Sequence, residues 1–443
     1  MMQKIDPATI FRNVNGSKRV IVAVSGGSDS MALLHLSALW SGINKVDLRV
    51  VTVDHGLRPE AAAEAAFVAG VSEGLGLPHV TLAWEGIKPS TGISEAARKA
   101  RYLLIEEFAR DIGAEEVLIG HTSDDQAETV WMRNLRIGNS PQWRGLSGMA
   151  EQMLLPSGVM VYRPLLAIDR QTLRDYLADI GQSWIEDPSN LDESYERVRA
   201  RRDLLKSEVT KEQICRLADL SGRQRKLAAE TVTNLLVSEL VVTNGPVFEI
   251  ERALLGHLVE SHCVLAIQLL VAIAGGKEHL IPVDVAREIL GLHASDRRTA
   301  GNAIVESHGT IMRFFRENRN LPVVHIGPGD RAIWDNRLLV KNRSDNTYTC
   351  SAVSKGQLSA MEEELGGKLD VKPRAALHST PVLSGGDGRL TLPFVLGRVI
   401  DNDLELRFKV PAIENFCSQY DFALLRLVDH VRNNLDATIA KSG

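Results

Sequence analysis

The chain has 443 residues, of which 44% are hydrophobic and 24% charged, so it is long enough for two or three globular domains. Its formal net charge of −5 argues against indiscriminate binding to nucleic acid but is compatible with a local basic patch. Four scattered cysteines exclude a recognisable zinc or iron–sulfur motif, and no run is apolar enough to cross a membrane. The start of the chain has no apolar signal region, and together these features predict a cytoplasmic protein.

The first predicted strand ends in a glycine turn. The run Val20–Val24 is continuously apolar, which is typical of a central parallel strand. Gly26 and Gly27 permit a sharp turn that brings main-chain N–H groups close to an anion, and Ser28 suits the N-cap of a following helix. Strand, turn and helix N-terminus together predict an anion site with a nucleotide as its ligand. The predicted site consists of Ser25, Gly26, Gly27, Ser28, Asp29 and Ser30.

This loop is not a Walker A motif, because no Lys-Ser or Lys-Thr follows a Gly-x-x-x-x-Gly frame in the chain. It resembles instead the pyrophosphate loop, Ser-Gly-Gly-x-Asp-Ser, of the N-type ATP pyrophosphatases. The resemblance implies ATP as the cofactor, cleaved between its α and β phosphates to adenylate a substrate. An acid such as Asp29 would repel phosphates unless it held Mg²⁺ on the leaving pyrophosphate. The alternative is a glycine–serine turn without a ligand.

Three further strands are predicted, over Val46–Asp54, His79–Trp84 and Glu116–Gly120, with helices between them. This alternation predicts an α/β domain with a doubly wound, mainly parallel sheet. The second strand ends in Asp54 and His55, which we expect at the same crevice as the glycine turn.

Acidic residues begin the helix predicted after the fourth strand. Asp124 and Asp125 lie in its first turn, and Glu128 shares a face with Asp124 because their spacing is four. Acids at this position suit the helix dipole, which is a sufficient structural explanation. The functional alternative is that they hold a cationic substrate opposite the ATP site. Ser123 and Gln126 fit a capping box for the same helix.

Arginines are concentrated in three segments. Arg98 and Arg101 share a face of the helix that begins at Ser94, where plain solvation is the alternative to binding. Between Thr129 and Ala150 arginines alternate with tryptophans and glycines, which suits a mobile loop that binds RNA or, alternatively, a loop without a ligand. Tyr195–Lys206 is compatible with extended chain or a helix. The arginines and tryptophans of the last two segments are Arg133, Arg136, Arg144, Trp131 and Trp143, then Arg197, Arg199, Arg201 and Arg202.

The α/β alternation ends after about residue 215. Helices are predicted over Arg216–Leu240, His262–Ile273 and Val283–Leu292. We therefore expect a mainly helical domain over 216–344, in which the arginines of Thr310–Pro322 form a basic patch or a solvated surface. Residues 345–380 are polar and predict a linker, and the patterns of Leu390–Asn434 predict a small α+β region. The predicted domains are 1–215, 216–344 and 345–443.

Several motifs occur in an order that resembles one family, the tRNA(Ile)-lysidine synthetases. They are Ser25–Ser30, Val53–Arg58, Glu95–Tyr102, His121–Thr129 with Arg136, Gly138 and Gly145–Met149, and Arg163–Leu166 with Trp184–Asn190. Three positions depart from the family pattern. Thr122 follows His121 where the family has a second histidine, Ile137 separates an Arg-Gly pair, and Val198 stands where the family has asparagine.

The resemblance implies an adenine nucleotide alpha hydrolase-like fold and a ligase reaction. Free lysine would be joined to C2 of the wobble cytidine of tRNA(Ile) through an adenylated cytidine, with release of AMP and pyrophosphate. The implied partners are ATP, Mg²⁺, L-lysine and the unmodified tRNA(Ile), which the second domain would help to bind, and a homodimer is left open. No membrane partner is expected.

The resemblance also implies roles for individual residues. Asp29 would hold Mg²⁺, and Asp124 or Asp125 would bind lysine. A carboxylate or His121 would accept a proton from the lysine amine, whose ordinary pKa is about 10.4. The implied catalytic residues are Asp29, His121, Asp124 and Asp125, and Asp54 and His55 join the glycine loop in binding ATP. The implied substrate and tRNA contacts are Arg98, Arg101, Asp124, Glu128, Arg136, Arg163, Arg197, Arg199 and Arg201.

Three other functions were weighed. A tRNA thiolase needs reactive cysteines or a cluster near the loop, but no cysteine precedes Cys215. An amidotransferase related to asparagine synthetase needs an N-terminal cysteine, which is absent. A non-catalytic nucleotide sensor or RNA-binding scaffold would differ in showing no lysine-dependent release of AMP and pyrophosphate.

Overall fold

The computed structural model describes residues 5–137, 143–187, 192–386, 388, 390–395 and 404–440. The chain divides into two compact units, Met1–Arg225 with Phe416–Tyr420, and Lys226–Asn415 with Asp421–Gly443. Gly138 and Pro188–Asn190, which belong to the family motifs above, lie outside the described residues. Among the described residues, no helix combines the length and hydropathy needed to span a membrane.

The first unit alternates helices and strands. Its helices are α1 (Pro7–Ile10), α2 (Ser28–Asn44), α3 (Ala61–Gly74), α4 (Ile93–Ile112), α5 (Ser123–Ile137), α6 (Trp143–Leu146), α7 (Arg170–Asp179) and α8 (Glu196–Lys206), and α9 (Lys211–Glu239) contains the division at Arg225. Its strands are β1 (Arg19–Ala23), β2 (Asp47–Asp54), β3 (His79–Ala83), β4 (Glu116–Ile119), β5 (Gln152–Leu154) and β6 (Met160–Tyr162).

The second unit combines helices with short strands. The helices are α10 (Arg252–Leu255), α11 (Glu260–Gly275), α12 (Val283–Leu290), α13 (Lys355–Glu364), α14 (Pro411–Glu414) and α15 (Leu424–Ala440). The strands are β7 (Val241–Thr243), β8 (Val247–Glu251), β9 (Arg297–Ala300), β10 (Ala303–His308), β11 (Ile311–Arg316), β12 (Val324–Ile326), β13 (Arg331–Trp334), β14 (Leu338–Asn342), β15 (Tyr348–Ala352), β16 (Pro381–Gly385), β17 (Leu390–Thr391) and β18 (Leu404–Phe408). The last strand, β19 (Cys417–Ser418), belongs to the first unit.

A mainly parallel sheet forms the centre of the first unit. Its strand order is β19-β5-β6-β4-β1-β2-β3, with parallel pairing from β6 to β3 and antiparallel pairing of β5 and β19. β1 lies between β2 and β4, so the strand order reverses there, and the carboxyl ends of β1 and β4 open a crevice. The predicted doubly wound, mainly parallel α/β domain is confirmed.

After Arg19, the central strand β1 is apolar because both of its faces are covered. Val20 and Val22 pack in the cluster that contains α2 residues such as Leu33, whereas Ile21 packs in the cluster that contains Ile105 of α4. The residues with no exposed surface here are Val20, Ile21, Val22, Leu33 and Ile105. Alternate residues of one strand therefore supply two separate cores, which explains why the sequence shows a continuous apolar run.

The prediction of a mainly helical segment over 216–344 missed its strands. The helices α9, α11 and α12 form as expected, but the segment also contains an antiparallel sheet with the order β7-β8-β11-β10-β9. The arginines of Thr310–Pro322 lie mostly on or beside β11, where Arg313 pairs with Glu249 and the buried Arg316 pairs with Asp335. Short strands with alternating charged side chains resemble a basic loop in sequence, which is why they were misinterpreted.

The interpretation of residues 345–380 as a linker is wrong. This segment contains β15, α13 and a 3₁₀ helix at Arg374–Ser379. A capping box between Ser354 and Gln357 begins α13, and Leu358 and Leu377 are buried in the second unit's core. The polar and glycine residues lie between buried positions, and composition alone does not reveal that spacing. A separate domain boundary at residue 344 stays a prediction.

Candidate active site

A cavity of about 930 Å³ opens at the carboxyl ends of β1 and β4. Its walls come from the glycine loop, the end of β4, the first turns of α5 and α7, and one face of α8. The polar side chains lining it are Ser25, Ser28, Asp29, Ser30, Arg101, His121, Asp125, Arg170, Arg174, Glu186, Asp187, Arg197 and Arg201. The crevice predicted from the strand order is therefore open and rich in charged groups.

The glycine loop is fixed by its own serines. The main-chain N–H of Ser25 donates to Ser30 Oγ at 3.1 Å, and that hydroxyl donates to the carbonyl oxygen of Gly27 at 3.0 Å. Gly27 is the N-cap of α2 and Ser28 is its first helical residue, so the predicted N-cap lies one residue too late. The N-terminal turn of α2 faces the cavity with main-chain N–H groups, which is an arrangement suited to phosphate.

Two positions in this site require glycine because neighbouring residues lie too close for a side chain. Gly26 has φ +90°, and a Cβ there would lie 2.8 Å from Ile185 Cδ1. The N–H of Ile185 donates to the carbonyl oxygen of Gly26 at 2.9 Å, so the segment after α7 lies directly on the loop. A Cβ at Gly120 would lie 3.1 Å from the carbonyl oxygen of Asp29. Larger side chains would push the cavity walls apart.

Asp29 lies at the start of α2, where both of its oxygens have partners. Oδ2 accepts from Arg170 Nε at 2.9 Å, and Oδ1 accepts from the Ser28 hydroxyl at 3.0 Å. Burial raises the pKa of Asp29 above its ordinary value, although the Arg170 guanidinium opposes that shift. A buried acid beside a phosphate loop is a suitable ligand for a hard cation.

Asp125 and Glu128 of α5 are surrounded by arginines. Arg197 lies 3.4 Å from Asp125 and 3.7 Å from Glu128, and Arg201 Nε donates to Glu128 Oε1 at 2.7 Å. Arg170 lies 3.5 Å from Asp125 and 4.0 Å from Glu128. Burial opposes ionisation of Asp125, but the nearby Arg197 and Arg170 and the main-chain N–H of Thr122 outweigh it and lower the pKa of this carboxyl. Glu128 Oε2 is buried without a hydrogen-bond partner.

Asp124 is separated from its neighbour Asp125. Its Oδ2 accepts from the main-chain N–H of Arg170 at 2.8 Å, and it lies 3.4 Å from Lys211 Nζ. It is absent from the lining of the cavity. The two consecutive acids therefore point to different environments, and only Asp125 faces the cavity.

The predicted capping box of α5 is also different from the one observed. Thr122 donates to Asp125 Oδ2 from its main-chain N–H at 2.9 Å and from its hydroxyl at 3.0 Å. Gln126 instead exchanges two hydrogen bonds with the main chain of Met149. Thr122, one of the departures from the family pattern, thus orients the acid that faces the cavity.

His121 is held by a buried arginine. Arg163 Nε donates to His121 Nδ1 at 3.1 Å, and Arg163 Nη1 donates to the carbonyl oxygen of Ala150 at 2.8 Å. Burial and then Arg163 lower the pKa of His121 to about 3, so the imidazole is neutral at pH 7. Because Nδ1 accepts a hydrogen bond, the ring proton lies on Nε2. Arg163 itself is 3% exposed and is engaged with His121 and Ala150, and its contact with substrate or tRNA stays a prediction.

Of the remaining predicted residues, some line the cavity and others lie outside it. Asp54 ends β2 and His55 follows it, and both lie outside the lining. His55 Nε2 lies 3.4 Å from Arg101 Nη2, and Arg101 does line the cavity. Arg98 stacks over the ring of Tyr102. Arg136 pairs with Glu196, and Arg199 donates to the carbonyl oxygens of Glu193 and Ser194, so both lie outside the lining.

Sequence reasoning missed Arg170, Arg174 and Ile185. Arg170 is the first residue of α7, directly after the N-cap Asp169, where a cation opposes the helix dipole. That unfavourable placement was a signal for an acidic partner, but the partner is 141 positions away in the chain. Arg174 lies one turn later, pairs with Glu186 and stacks over Trp184. The role of Ile185 could not be predicted from the sequence, because it consists of packing against Gly26.

Comparison with known proteins places these features in context. The PP-loop domain profile matches residues 3–208, which include the glycine loop. A tRNA(Ile)-lysidine synthase of Rhizobium meliloti is 38% identical over 80% of this chain and 80% of its own length. One of Brucella suis is 33% identical over 96% of this chain and 97% of its own. A solved U34-tRNA thiolase of Methanococcus maripaludis, with its [4Fe-4S] cluster, covers 49% of this chain and 77% of its own at 14% identity and a TM-score of 0.41.

Proposed function

The chain belongs to the tRNA(Ile)-lysidine synthase family, and from that premise we propose how its cavity carries out the reaction. The enzyme is a ligase that forms a carbon–nitrogen bond between lysine and C2 of the wobble cytidine of tRNA(Ile). ATP adenylates the cytidine, AMP and pyrophosphate are released, and decoding changes from AUG to AUA. Cytidine C2 is a poor electrophile because its oxygen is a bad leaving group, and transfer of AMP to that oxygen makes it a good one.

The glycine loop is the proposed phosphate site. Main-chain N–H groups at the start of α2 and the hydroxyl groups of Ser25, Ser28 and Ser30 face the side of the cavity where a triphosphate fits. Arg170 and Arg174 of α7 lie directly beside the loop, with Arg170 Nε 2.9 Å from Asp29 Oδ2 and Arg174 Nε 3.5 Å from Ser28 Oγ. From there their guanidinium groups can stabilise the charge that develops on the pyrophosphate.

Asp29 is the proposed Mg²⁺ ligand. No group of three or more acids, histidines or cysteines suited to a metal occurs among the described residues. Mg²⁺ in nucleotide sites needs no such group, because one or two carboxylates and the phosphates hold it. Asp29 fits this donor set, since its carboxylate is 15% exposed and lies beside the loop. When bound there, Mg²⁺ would neutralise the charge on the leaving pyrophosphate.

Asp125 and Glu128 are the proposed lysine site. An amino acid carries both ammonium and carboxylate groups, so its recognition requires acids and cations together. Asp125 and Glu128 offer carboxylates, and Arg197 and Arg201 of α8 lie beside them at ion-pair distance. We assign lysine to Asp125 rather than to Asp124, because Asp124 is engaged with the main chain of Arg170.

His121 is a proposed hydrogen-bond donor rather than the base. Its pKa of about 3 makes it a weak proton acceptor at pH 7, and Arg163 occupies Nδ1. His121 lines the cavity, and we propose that its Nε2–H donates to a phosphate or to the oxygen being adenylated. We therefore expect a carboxylate to accept the proton from the lysine amine.

The tRNA contacts are proposed outside the cavity lining. Arg98 and Arg199 lie outside it and form no ion pair with an acid among the described residues, while the Arg136 side chain is 64% exposed and would exchange Glu196 for a phosphate. Arginines at such positions are suited to the RNA backbone, because guanidinium groups bind phosphate bidentately. The cytoplasm, where tRNA and free lysine occur together, is the proposed place of action.

The observation that carries this proposal is the cavity that joins the glycine loop to Asp125 of α5. The test is to incubate the purified protein with radiolabelled lysine, ATP, Mg²⁺ and unmodified tRNA(Ile). We expect lysine to be incorporated into the tRNA, with AMP released in equal amount. Asp29→Asn should abolish tRNA-dependent exchange between ATP and pyrophosphate, and full exchange by that variant would contradict the role of the loop.

A thiolase function is not supported by the cysteines. Cys215, the first in the chain, has a pKa raised to about 11 by burial, so its thiol is protonated and unreactive at pH 7. Cys417 of the first unit is buried as well. In the same assay, sulfur transfer to tRNA should be undetectable.

A further inference from the structure

Arg170 contacts acids on both sides of the cavity. Its Nε donates to Asp29 Oδ2 of the glycine loop at 2.9 Å, while Nη2 lies 3.5 Å from Asp125 and Nη1 lies 4.0 Å from Glu128 on α5. One guanidinium therefore spans the proposed nucleotide site and the proposed lysine site. The neighbouring acids raise the pKa of Arg170 despite its burial, so it keeps its charge.

The main chain of Arg170 is held in place independently of this side chain. Asp124 accepts its N–H at 2.8 Å, and Asp169 caps α7 by accepting the N–H of Thr172 at 2.9 Å. Because these contacts fix the backbone, the guanidinium can change partners without moving the helix. This anchoring also gives Asp124 a structural function that the sequence alone did not suggest.

The contacts of Asp29 conflict with its proposed role. Arg170 occupies Oδ2 and the Ser28 hydroxyl occupies Oδ1, so both oxygens are engaged. A cation can coordinate this carboxylate only if one of these contacts is released. Phosphate is the natural new partner for the released guanidinium, since a triphosphate in the loop would lie beside it.

We propose that Arg170 is a positioning residue that couples nucleotide binding to lysine binding by exchanging Asp29 for the triphosphate while its Nη atoms stay beside Asp125 and Glu128. The inference rests on the proposed function of this cavity. Before nucleotide binds, the guanidinium is drawn toward the loop. Afterwards it is fixed between phosphate and the acids of α5, so each ligand stabilises the arrangement that the other requires. Linkage then demands that the effect be reciprocal.

The test measures binding rather than turnover. The affinity of α,β-methylene ATP with Mg²⁺, which cannot be cleaved at the reacting bond, is determined by calorimetry without lysine and with saturating lysine. Lysine affinity is determined in the same way with and without the nucleotide. We expect each ligand to tighten the other by the same factor, about 5-fold or more, in the wild-type protein.

Two variants separate coupling from folding. Arg170→Met removes the guanidinium, and Arg170→Lys keeps a charge that cannot span three acids. We expect both to bring the coupling factor close to one, whatever the affinity of each variant for lysine alone. Arg287→Met is the matched control, because Arg287 also makes two ion pairs, with Glu260 and Asp284, but belongs to the second unit. It should leave the coupling unchanged.

The outcomes distinguish this inference from the proposed function. Absence of coupling in the wild-type protein, or full coupling in Arg170→Lys, would overturn the role of Arg170 while leaving both ligand sites standing. Failure of the wild-type protein to bind lysine at all would instead contradict the proposed lysine site, and the coupling with it. If Arg170→Met does not fold, Arg170→Lys and the wild-type titration still decide the question.

Discussion

Burial and the contact with Arg163 together keep His121 neutral at pH 7. Arg163 is buried with its guanidinium directed at Nδ1, and no sequence rule links these residues, which lie 42 positions apart. A histidine after a strand is commonly interpreted as a base, but a cation donating to one nitrogen makes it a neutral donor through the other. The chemical role of His121 is therefore decided by a residue that does not line the cavity.

The first prediction concerns this pair. Below its ordinary pKa of 6.5 and above about 3, His121 stays neutral in the folded protein but is protonated when unfolded. Its contribution to the free energy of unfolding is therefore complete above pH 6.5 and is lost as the pH falls. His121→Gln should flatten the loss of stability between pH 6.5 and pH 4, measured by urea denaturation.

Substitution of Arg163 should change the pH profile of the reaction. Arg163→Met removes the neighbouring charge, so the pKa of His121 rises toward its ordinary value. We expect the inflection that His121 gives in the pH profile of tRNA adenylation to move to higher pH, and the double variant Arg163→Met/His121→Gln should lack this inflection. An unchanged profile in Arg163→Met would show that the histidine does not act in this step.

The neighbouring acids Asp124 and Asp125 provide the second residue-scale prediction. Asp125→Asn removes a charge beside Arg197 and Arg170, and losing one partner of a buried charge pair costs about 2–5 kcal/mol. We expect kcat/KM for lysine to fall by about 100-fold or more in this variant. Asp124→Asn should lower the Tm with a smaller effect on KM for lysine. Equal losses in the two variants would contradict the separation of their roles.

At the scale of elements, the glycine loop and the segment after α7 pack tightly against each other. Ile185 lies on Gly26, and their main chains are joined by a hydrogen bond of 2.9 Å. The sequence identified the loop by its glycines, but it gave no indication that a distant isoleucine closes its outer side. Packing of β-branched side chains against a loop of this kind limits which residues the loop accepts.

Gly26→Ala should therefore weaken nucleotide binding for two reasons. The positive φ costs about 1–3 kcal/mol for a residue with a Cβ, and the added methyl would lie 2.8 Å from Ile185 Cδ1. We expect α,β-methylene ATP to bind about 10-fold more weakly or worse. Ile185→Val removes the clashing methyl, so the double variant should recover part of the loss. No recovery would mean that backbone strain alone is responsible.

The helical periodicity of α8 determines which of its arginines line the cavity, which the composition of the segment did not predict. Arg197 and Arg201 are four apart and both line the cavity, whereas Arg199 lies between them and donates to main-chain carbonyl oxygens instead. The alternating arginines were compatible with extended chain, but the helix places two of them beside Asp125 and Glu128. The acids of α5 attract these two arginines, which is why this face of α8 lies against α5.

At the scale of the whole molecule, the first unit is not continuous in sequence. β19 pairs with β5, Gln419 Oε1 accepts the N–H of Gln152 at 3.0 Å, and the ring of Tyr420 lies where a Cβ on Gly222 would be 2.7 Å away. The N-terminal part of the chain therefore lacks one edge of its sheet until residues from near the C-terminus are added.

A fragment of residues 1–239, which keeps α9 whole, tests this arrangement. We expect its Tm to lie about 5–10 °C below that of the same fragment joined through a glycine–serine linker to residues 416–420, because the buried Cys417 and the ring of Tyr420 are lost. Thermal unfolding followed by circular dichroism measures the difference. Identical Tm values would show that the segment adds nothing to the first unit.

The sequence by itself determined the α/β sheet, the glycine loop and the family, because these depend on local patterns: a continuous apolar strand, paired glycines and acids in a first helical turn. Tertiary structure decided which acid faces the cavity, that His121 is neutral, and that Arg170 joins the two halves of the site. Each of these depends on a charge or a shape supplied by a residue far away in the chain, as Arg170 is from Asp29. Burial then determines how strongly such a neighbour acts, and local sequence does not encode burial.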